Sequence, residues 1–326
     1  MTIFNTELMR NKMENKKCIV TGGAGFIGSH ITEALLNKGV SKVTLIDNMS
    51  TGKIENLKDL DHDRIELICG DITEINLKQI FENHDFVFHE AALVSVPESV
   101  QKPNKTNKIN IEGSFNIFKA ACENNIKKVV CASSAAVYGE TKVLPNNEKL
   151  PLKPLSPYAV SKATMELYSY TFTKTYNLPT ACLRYFNVFG PRQSVDSAYS
   201  GVIPKFITTL LKGERPIIYG DGTQTRDFVF VKNIAEANIQ VAKSDVTGVY
   251  NIAHGSTINI KELLEKICEL MGYDFNPKYE PVRDGDIKNS VADISKAEEA
   301  FGYVNEHDFN KELKETIDFY EKEFNS

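Results

Sequence analysis

A tyrosine and a lysine stand four residues apart in Tyr158-Ala-Val-Ser-Lys162, a spacing that places both side chains on one face of a helix. A phenol is a poor base at neutral pH. An ammonium group one turn away, together with the positive ring of an oxidised nicotinamide, would stabilise the phenolate. Ser134, in the run Ser133-Ser-Ala-Ala-Val-Tyr-Gly139, could bridge a substrate hydroxyl and Tyr158. This spacing alone is common on solvated helix faces, but its context favours proton transfer by Tyr158.

That context begins with the glycine-rich segment Lys17-Cys-Ile-Val-Thr-Gly-Gly-Ala-Gly-Phe-Ile-Gly28. An apolar run typical of a buried strand precedes the glycines, and apolar residues with helical period follow them. In this order Gly22 permits a tight turn, Gly25 lets backbone amides approach a pyrophosphate, and Gly28 lets helix and strand pack closely. The N-terminus of the helix adds free N–H groups. The segment predicts a dinucleotide site rather than a simple glycine turn.

Asp47 ends the next predicted strand, Lys42–Asp47, about 20 residues beyond the glycines. A carboxylate at this position accepts hydrogen bonds from the adenosine ribose and repels a 2′-phosphate, so the sequence predicts NAD rather than NADP. The alternative is a solvated strand end. Besides Tyr158, Lys162 and the glycines, the predicted cofactor site comprises Phe26, Ile27, Asp47, Asn48, Ser50, Gly52, Asp71, Ile72, Ala91, Ala92, Asn110, Ser133 and Tyr185.

Two polar residues have other interpretations. Asn110 lies early in the helix pattern Thr106–Asn124. It is either a polar group that packs helices or one that fixes a catalytic water and the cofactor ribose. His89 ends the predicted strand Phe86–His89, and we interpret it as structural.

Composition excludes several classes of protein. The chain of 326 residues has a net charge of −5 and no basic run, which argues against nucleic-acid binding. It has no run of about 18 apolar residues, and residues 1–16 lack the apolar core of a signal peptide. The six cysteines form no CxxC pair. We therefore expect a cytoplasmic protein with reduced thiols and no metal site, and a disordered extension at residues 1–12.

Six strand patterns alternate with helix patterns up to residue 184, which predicts an α/β fold with a doubly wound parallel sheet of the Rossmann type. Ligands of such sheets lie at the carboxyl ends of the strands. Beyond Tyr185 the elements are shorter and loops more frequent. We expect an NAD-binding domain at residues 13–184 and a smaller substrate-binding α/β lobe at residues 185–326, some of whose segments return to the first domain.

At these motifs the chain resembles the extended short-chain dehydrogenases/reductases, and within them the UDP-glucose and UDP-N-acetylglucosamine 4-epimerases, over about residues 16–322. The segments shared with this nucleotide-sugar branch are Leu183-Arg-Tyr-Phe-Asn-Val-Phe-Gly-Pro191, Gly220-Asp-Gly-Thr-Gln-Thr-Arg-Asp-Phe228 and Arg283-Asp-Gly-Asp286. The resemblance implies a UDP-sugar substrate, bound by Ser134, Tyr158, Asn187, Val202, Ile217, Tyr219, Arg226, Phe228, Arg283, Asp286 and Ser290.

The two arginines of that set fit the implied substrate chemically. Guanidinium groups bind phosphate oxygens in bidentate fashion. The resemblance implies that Arg226 and Arg283, with Asn187, hold the UDP phosphates and that Asp286 holds the uridine ribose. The alternative is that both arginines are surface residues, which would leave the diphosphate without cationic partners on an acidic chain.

Related subfamilies differ at informative positions. Nucleotide-sugar 4,6-dehydratases carry an acidic pair where this chain has Ala135 and Ala136, and uronate decarboxylases usually differ at Asn187 or near Ser134. We therefore expect NAD-dependent 4-epimerisation of UDP-hexoses through a 4-keto intermediate. The alternatives are another dehydratase or oxidoreductase of the same family and a non-catalytic NAD-sensing protein.

Two further expectations follow from the resemblance. Ser290 occupies a position that borders the sugar pocket, where family members restricted to plain hexoses carry tyrosine; serine leaves room for a 2-acetamido group. The alternative is a solvent-facing loop residue. Residues 106–124 and 156–176 correspond to the helix pair that forms a dimer interface in the family, so we expect a homodimer.

Overall fold

The computed structural model describes residues 13–195, 201–282, 287–304 and 308–325. The expected extension at residues 1–12, and Arg283 and Asp286 of the expected substrate site, lie outside the described residues.

Seven parallel strands form one sheet in the order β11-β6-β5-β4-β1-β2-β3, which confirms the Rossmann-type prediction. The strands are β1 (Lys17–Thr21), β2 (Lys42–Asp47), β3 (Ile65–Cys69), β4 (Phe86–His89), β5 (Lys128–Ser134), β6 (Thr180–Tyr185), β7 (Asn187–Phe189), β8 (Ile217–Tyr219), β9 (Thr225–Arg226), β10 (Phe228–Phe230), β11 (Gly248–Ile252), β12 (Ile258–Asn259) and β13 (Lys278–Glu280). Val, Ile and Leu dominate the central strands because helices cover both faces.

The helices separate into layers. They are α1 (Phe26–Asn37), α2 (Leu77–Ile80), α3 (Val96–Gln101), α4 (Pro103–Thr106), α5 (Gly113–Glu123), α6 (Pro157–Thr175), α7 (Val202–Leu211), α8 (Val231–Lys243), α9 (Ile260–Met271), α10 (Ser295–Phe301) and α11 (Phe309–Phe324). Helices α1 and α8 pack on one face of the sheet, and α2, α5 and α6 pack on the other. Each face therefore has its own apolar core.

The sheet extends further than the six strand patterns indicate. Strand β11 pairs with β6 and adds a seventh strand from beyond residue 185. Strands β5 and β6 stay paired up to their last residues, since Ser133 pairs with Arg184 and Ser134 with Tyr185. This extra pairing holds both serines on a rigid ladder.

The helix expected at Thr106–Asn124 differs in form. Helix α4 precedes a π-helix over Asn107–Glu112, and α5 then continues to Glu123. Single-turn π segments inside helices often mark functional sites. This one contains Asn110.

The smaller lobe has short paired strands and a third apolar core. Strand β10 pairs with β7, β12 with β9, and β13 with β8. Helices α7, α9 and α11 enclose the core, which includes Phe206, Leu263 and Ile317. No helix among the described residues is long and apolar enough to cross a membrane.

Candidate active site

The glycine turn after β1 leaves no room for side chains at two of its glycines. Gly22 has φ +68°, and a β-carbon there would stand 2.9 Å from the Ala91 nitrogen. A β-carbon on Gly28 would collide with the Gly22 carbonyl oxygen. Helix α1 begins with Gly25 as its N-cap and no side-chain cap, so the first-turn N–H groups, at Phe26 and Ile27, have no side-chain acceptor. An anionic pyrophosphate would satisfy them.

Asp47 is fixed at the carboxyl end of β2. Its Oδ2 accepts from the Ala24 N–H at 3.0 Å and its Oδ1 from the Met49 N–H at 2.9 Å. A β-carbon on Gly52 would stand 2.8 Å from the Asp47 carboxylate. The carboxylate is therefore enclosed by main chain, in the position predicted for the adenosine ribose.

The expected adenosine side continues at the end of β3. Asn48 donates to Asp71 Oδ2 at 3.1 Å, and the Asp71 Oδ1 accepts from the Thr73 N–H and hydroxyl. Partial burial opposes ionisation of Asp71, but the hydrogen bonds from Thr73 and Asn48 outweigh it and lower the pKa. Ser50 is exposed and Ile72 is buried beside Gly113.

The proposed catalytic residues lie at the carboxyl end of β5. Ser156 caps α6 by accepting from the Ala159 N–H, so Tyr158 stands in the first turn. Lys162 Nζ donates to the Ala132 carbonyl at 2.7 Å and lies 5.8 Å from the centroid of the Tyr158 ring. Ser134 Oγ accepts from the Ala136 N–H at 3.2 Å. Strand and helix thus bring this serine, tyrosine and lysine to the same edge of the sheet.

A buried ion pair beneath these residues is absent from the sequence-based expectations. Arg184 donates to both carboxylate oxygens of Glu166, at 2.8 and 2.7 Å. The Ser133 hydroxyl donates to Glu166 Oε1 at 2.5 Å. Burial opposes the charge on Arg184, yet the bonds to Glu166 raise its pKa. The expected cofactor contact of Ser133 therefore stays a prediction for its main chain, since its side chain is engaged here.

A second unexpected group lies at the end of β4. The Tyr185 hydroxyl donates to Glu90 Oε1 at 2.9 Å and accepts from Asn238 Nδ2 at 2.8 Å. Burial raises the pKa of the Glu90 carboxyl to about 7, against the opposing effects of the Tyr185 hydrogen bond and the Lys162 charge. Tyr185 is buried too, so its expected cofactor contact stays a prediction for its main chain.

The structure specifies the surroundings of both ambiguous polar residues. Asn110 Oδ1 accepts from the Leu93 N–H at 2.7 Å, and its Nδ2 donates to the Leu93 carbonyl and to Ser161 Oγ, both at 3.0 Å. These contacts support the helix-packing interpretation, and they fix the chain just after Ala91 and Ala92. His89 lies between Thr21 and Ser114 at 2.8 and 2.9 Å. Burial and the Lys162 charge lower its pKa to about 3, which agrees with a structural role.

The expected phosphate-binding residues lie on the short strands. Asn187 Nδ2 donates to the Asp227 carbonyl at 3.0 Å, and Arg226 Nη1 donates to the Thr225 carbonyl at 2.8 Å. Asn187 pairs with Phe228 in the register of β7 and β10. Val202, Ile217 and Tyr219 are half-buried and Phe228 is buried, on the surrounding elements α7, β8 and β10.

Asp227 joins three separate segments and is another residue missed from the sequence. Its carboxylate accepts from the N–H groups of His254 at 2.8 Å and of Gly255 and Ala292 at 3.1 Å. Burial raises its pKa to about 6, although the three N–H groups act to lower it. This carboxylate holds the segment that carries Ser290 against the strand that carries Arg226.

Ser290 lies beside that strand. Its N–H donates to the Thr225 carbonyl at 3.2 Å, and the Thr225 N–H donates to the Lys288 carbonyl at 2.9 Å. Ser290 itself is half-buried. It is therefore less exposed than the solvent-facing alternative implies.

The missed residues share a weak sequence signal. Glu166 follows Lys162 by one helical turn, Arg184 interrupts the apolar strand Thr-Ala-Cys-Leu-Arg-Tyr, and Asp227 precedes Phe-Val-Phe. A charged residue inside an apolar pattern indicates a buried pair or a buried acceptor of N–H bonds. The partners themselves follow only from tertiary contacts.

Comparison with known proteins gives one family. Residues 19–316 match the family described as GDP-mannose 4,6 dehydratase. The UDP-glucose 4-epimerase of Mycolicibacterium smegmatis is 33% identical over 93% of this chain and 98% of its own length. The UDP-N-acetyl-alpha-D-glucosaminuronate decarboxylase of Bacillus cytotoxicus is 34% identical over 94% of this chain and 98% of its own.

Solved structures agree with the fold. The UDP-N-acetylglucosamine 4-epimerase of Methanobrevibacter ruminantium, in complex with UDP-N-acetylmuramic acid, superposes with a TM-score of 0.93 at 47% identity, covering 95% of this chain and 99% of that one. The Thermus thermophilus UDP-glucose 4-epimerase, in complex with NAD, gives 0.84 at 34% identity, with coverages of 94% and 99%. The NAD in that neighbour accords with the cofactor prediction.

Proposed function

The chain belongs to the GDP-mannose 4,6-dehydratase-like family of extended short-chain dehydrogenases/reductases, and on this basis we propose that it is an NAD-dependent 4-epimerase of UDP-hexoses. Family membership places it among nucleotide-sugar enzymes. Because its relatives include both epimerases and decarboxylases, the choice of reaction rests on the residues of the site.

The observation that carries the proposal is the edge of the sheet at Ser134. This serine, Tyr158 and Lys162 converge there, while the next two positions are Ala135 and Ala136. Methyl groups cannot move protons, so this stretch provides a group for the sugar 4-hydroxyl but none for dehydration at C5. Epimerisation, which oxidises and re-reduces one carbon, needs only the group that acts on the 4-hydroxyl.

The chain's own residues would act as follows. Ser134 orients the 4-hydroxyl, and Tyr158 takes its proton while Lys162 stabilises the phenolate. Bound NAD would accept the C4 hydrogen with its electron pair and later return it. Arg226, Asn187 and the predicted Arg283 hold the diphosphate, so the 4-ketose can turn about its phosphate linkage and present its other face.

Ser290 supports acceptance of N-acetylated sugars. A serine at this half-buried position leaves space that a tyrosine ring would occupy. An open pocket only forgoes some contacts with a smaller substrate, whereas a filled one rejects a larger substrate by overlap. We therefore propose activity on UDP-N-acetylglucosamine and UDP-N-acetylgalactosamine alongside UDP-glucose and UDP-galactose.

A uronate decarboxylase is the second candidate, because one relative carries that name. Asn187 and the absence of a glutamate beside Ser134, where the chain has Ala135 and Ala136, argue against it. Incubation with UDP-hexoses, UDP-N-acetylhexosamines and the matching UDP-uronates, followed by NMR of the products, distinguishes the two. Epimers of the neutral sugars are expected; release of carbon dioxide from a uronate with no epimer formed would replace this proposal.

NAD should co-purify with the protein, since the Asp47 carboxylate suits a ribose diol and the reaction never requires cofactor exchange. Nucleotide released by denaturation is identified by mass. NADP, or no nucleotide and no stimulation by added NAD, would contradict the cofactor assignment.

We also propose a homodimer formed through α5 and α6. Phe115, Val160 and Leu167 on these helices are 39%, 44% and 65% exposed. Clustered exposed apolar side chains on a helix pair are typical of subunit interfaces. Light scattering of the purified protein tests this, and Leu167→Glu should shift a dimer to monomer.

A further inference from the structure

We propose that Ser99 is a positioning residue for Tyr158, which holds the main chain of this tyrosine in place from a separate helix. This inference rests on the proposed function, in which Tyr158 takes the proton of the sugar 4-hydroxyl. Ser99 Oγ accepts a hydrogen bond from the Tyr158 N–H at 3.1 Å, over a separation of 59 residues along the chain. Ser99 therefore acts on the reaction only through the placement of Tyr158.

The N–H group of Tyr158 lies where a helix cannot satisfy it. Helix α6 begins at Pro157, so Tyr158 is its second residue, and the first N–H groups of a helix have no acceptor within it. Pro157 has no N–H group, and the local cap Ser156 accepts from the Ala159 N–H instead. The Ser99 hydroxyl thus supplies the acceptor that the local cap does not provide for Tyr158.

The surroundings of Ser99 fix its hydroxyl for this contact. Helix α3 has six residues, all of them described, and Ser99 alone among them is buried, whereas Val96 and Val100 are 41% and 61% exposed. The Ser99 hydroxyl donates to the Val96 carbonyl at 2.6 Å, so its oxygen lone pairs remain for the Tyr158 N–H. A helix that buries a serine and exposes its valines is held by a directional hydrogen bond more than by apolar contact.

A second set of hydrogen bonds connects the Tyr158 carbonyl to the same segment of the chain. This carbonyl accepts from Ser161 Oγ at 2.7 Å, and Ser161 Oγ accepts from Asn110 Nδ2 at 3.0 Å. Asn110 in turn bonds both the N–H and the carbonyl of Leu93. Segment 93–99 is therefore connected to Tyr158 at both of its ends, directly through Ser99 and indirectly through Asn110.

The placement of Tyr158 matters because proton transfer requires close approach of the reacting groups. A misplacement of about 1 Å can lower a rate about 10²-fold. Helix ends fray, and Tyr158 stands in the first turn of α6. The hydrogen bond to Ser99 opposes fraying at the residue where fraying would lower the rate most.

Steady-state kinetics provide the first test. Ser99→Ala should lower kcat for UDP-galactose at least about tenfold and change KM by less than about twofold, because it misplaces Tyr158 while the diphosphate binds elsewhere. Ser169→Ala is the matched control. Ser169 is another buried serine of α6, about three turns from Tyr158, and shares a hydrogen bond with Thr180 Oγ1 at 2.6 Å. Its loss should leave kcat unchanged, and equal kcat values for the two variants would overturn this inference.

A double-mutant cycle separates positioning from general support of the site. If Ser99 acts through the Tyr158 phenol, Ser99→Ala should lower the residual turnover of Tyr158→Phe by less than about twofold, since the phenol is already absent. A further loss of about tenfold in the double variant would mean that Ser99 supports the site as a whole, and this inference would be wrong.

Hydrogen exchange measures the bond itself and needs no turnover. Deuterium uptake by a peptide that contains Tyr158 should be faster in Ser99→Ala than in the wild-type protein, and unchanged in Ser169→Ala. Unchanged uptake in Ser99→Ala overturns this inference and leaves the epimerase proposal intact. If uptake is faster but Tyr158→Phe keeps wild-type turnover, the proposed role of Tyr158 fails, and the positioning role of Ser99 fails with it.

Discussion

The predicted cofactor side and the proposed sugar side of the site are built from different kinds of backbone. On the cofactor side, Asp47, Ser134 and Tyr185 stand at the carboxyl ends of three parallel strands of one sheet, each fixed by a ladder of several residue pairs. On the sugar side, Arg226 lies in a strand of two residues, and Ser290 is aligned by single contacts with Thr225. The sheet therefore positions the residues of the cofactor side, whereas a few side-chain hydrogen bonds, above all those of Asp227, position the residues of the sugar side.

This difference has a physical reason. A parallel strand end is positioned by cooperative hydrogen bonds and two apolar cores, so single substitutions hardly displace it. A short edge pair has few bonds of its own, so a buried carboxylate that accepts three N–H bonds becomes the main positional constraint. Parallel strand ends suit the groups that react with every substrate, and short edge pairs suit the residues that select among substrates.

The largest expected effect concerns the sheet side. Tyr158→Phe should lower turnover by about 10² to 10⁴ while UDP affinity is nearly unchanged, because a positioned acid–base group contributes that much and UDP binds elsewhere. Steady-state kinetics and UDP titration measure both quantities. Tyr250→Phe, which removes a hydroxyl bonded to the Thr247 carbonyl away from the site, is the control. A Tyr158→Phe enzyme with a tenth of wild-type turnover would contradict the assigned role.

Ser290→Tyr tests whether selectivity belongs to the sugar side alone. Turnover of UDP-N-acetylgalactosamine should fall at least about tenfold more than that of UDP-galactose, because a ring fills the acetamido space. Ser290→Ala, which leaves the space open, should preserve the ratio of the two. Equal losses on both substrates, or none on either, would show that Ser290 does not determine sugar choice.

Asp227→Asn tests the positional constraint itself. It leaves one acceptor oxygen for three N–H groups, so the segments of Arg226 and Ser290 should separate and the KM for UDP-sugars should rise about tenfold. Bound NAD content should stay constant, since the sheet side is untouched. Asp221→Asn, an exposed acid bonded within its own turn to Thr223, should change neither quantity. Loss of NAD in Asp227→Asn would mean that the two sides are not built independently.

The smallest effect concerns the contact between helices of the two sides, where Asn233 of α8 donates to Glu312 of α11 at 2.9 Å. Because burial raises the pKa of Glu312 from 4.5 to about 7, its contribution to stability is complete below about pH 4.5 and is lost as the pH rises through 7. Glu312→Gln should remove about 1 to 3 kcal/mol of this pH dependence. Urea unfolding at about pH 5 and about pH 8 measures the change in the free energy of unfolding between these two pH values. If this change is the same in the variant as in the wild-type protein, a group other than Glu312 binds the proton.

Local sequence patterns predicted much of the sheet side. The glycine spacing, the acid after β2 and the four-residue interval between Tyr158 and Lys162 each report a single turn, strand end or helix face, and the described structure has those elements at those residues. Such features depend on residues that are close in the chain, so the local sequence is enough to predict them.

Pairings between distant segments were decided only by tertiary structure. Strand β11 reads as an ordinary short strand, and its place beside β6 follows from packing on the completed sheet. The partners of Glu90, Glu166 and Asp227 lie at distances of up to 95 residues along the chain, so no local pattern names them. The sequence determined which groups could do chemistry; burial and long-range hydrogen bonding decided which carboxyls have raised pKa values and which hold another segment in place.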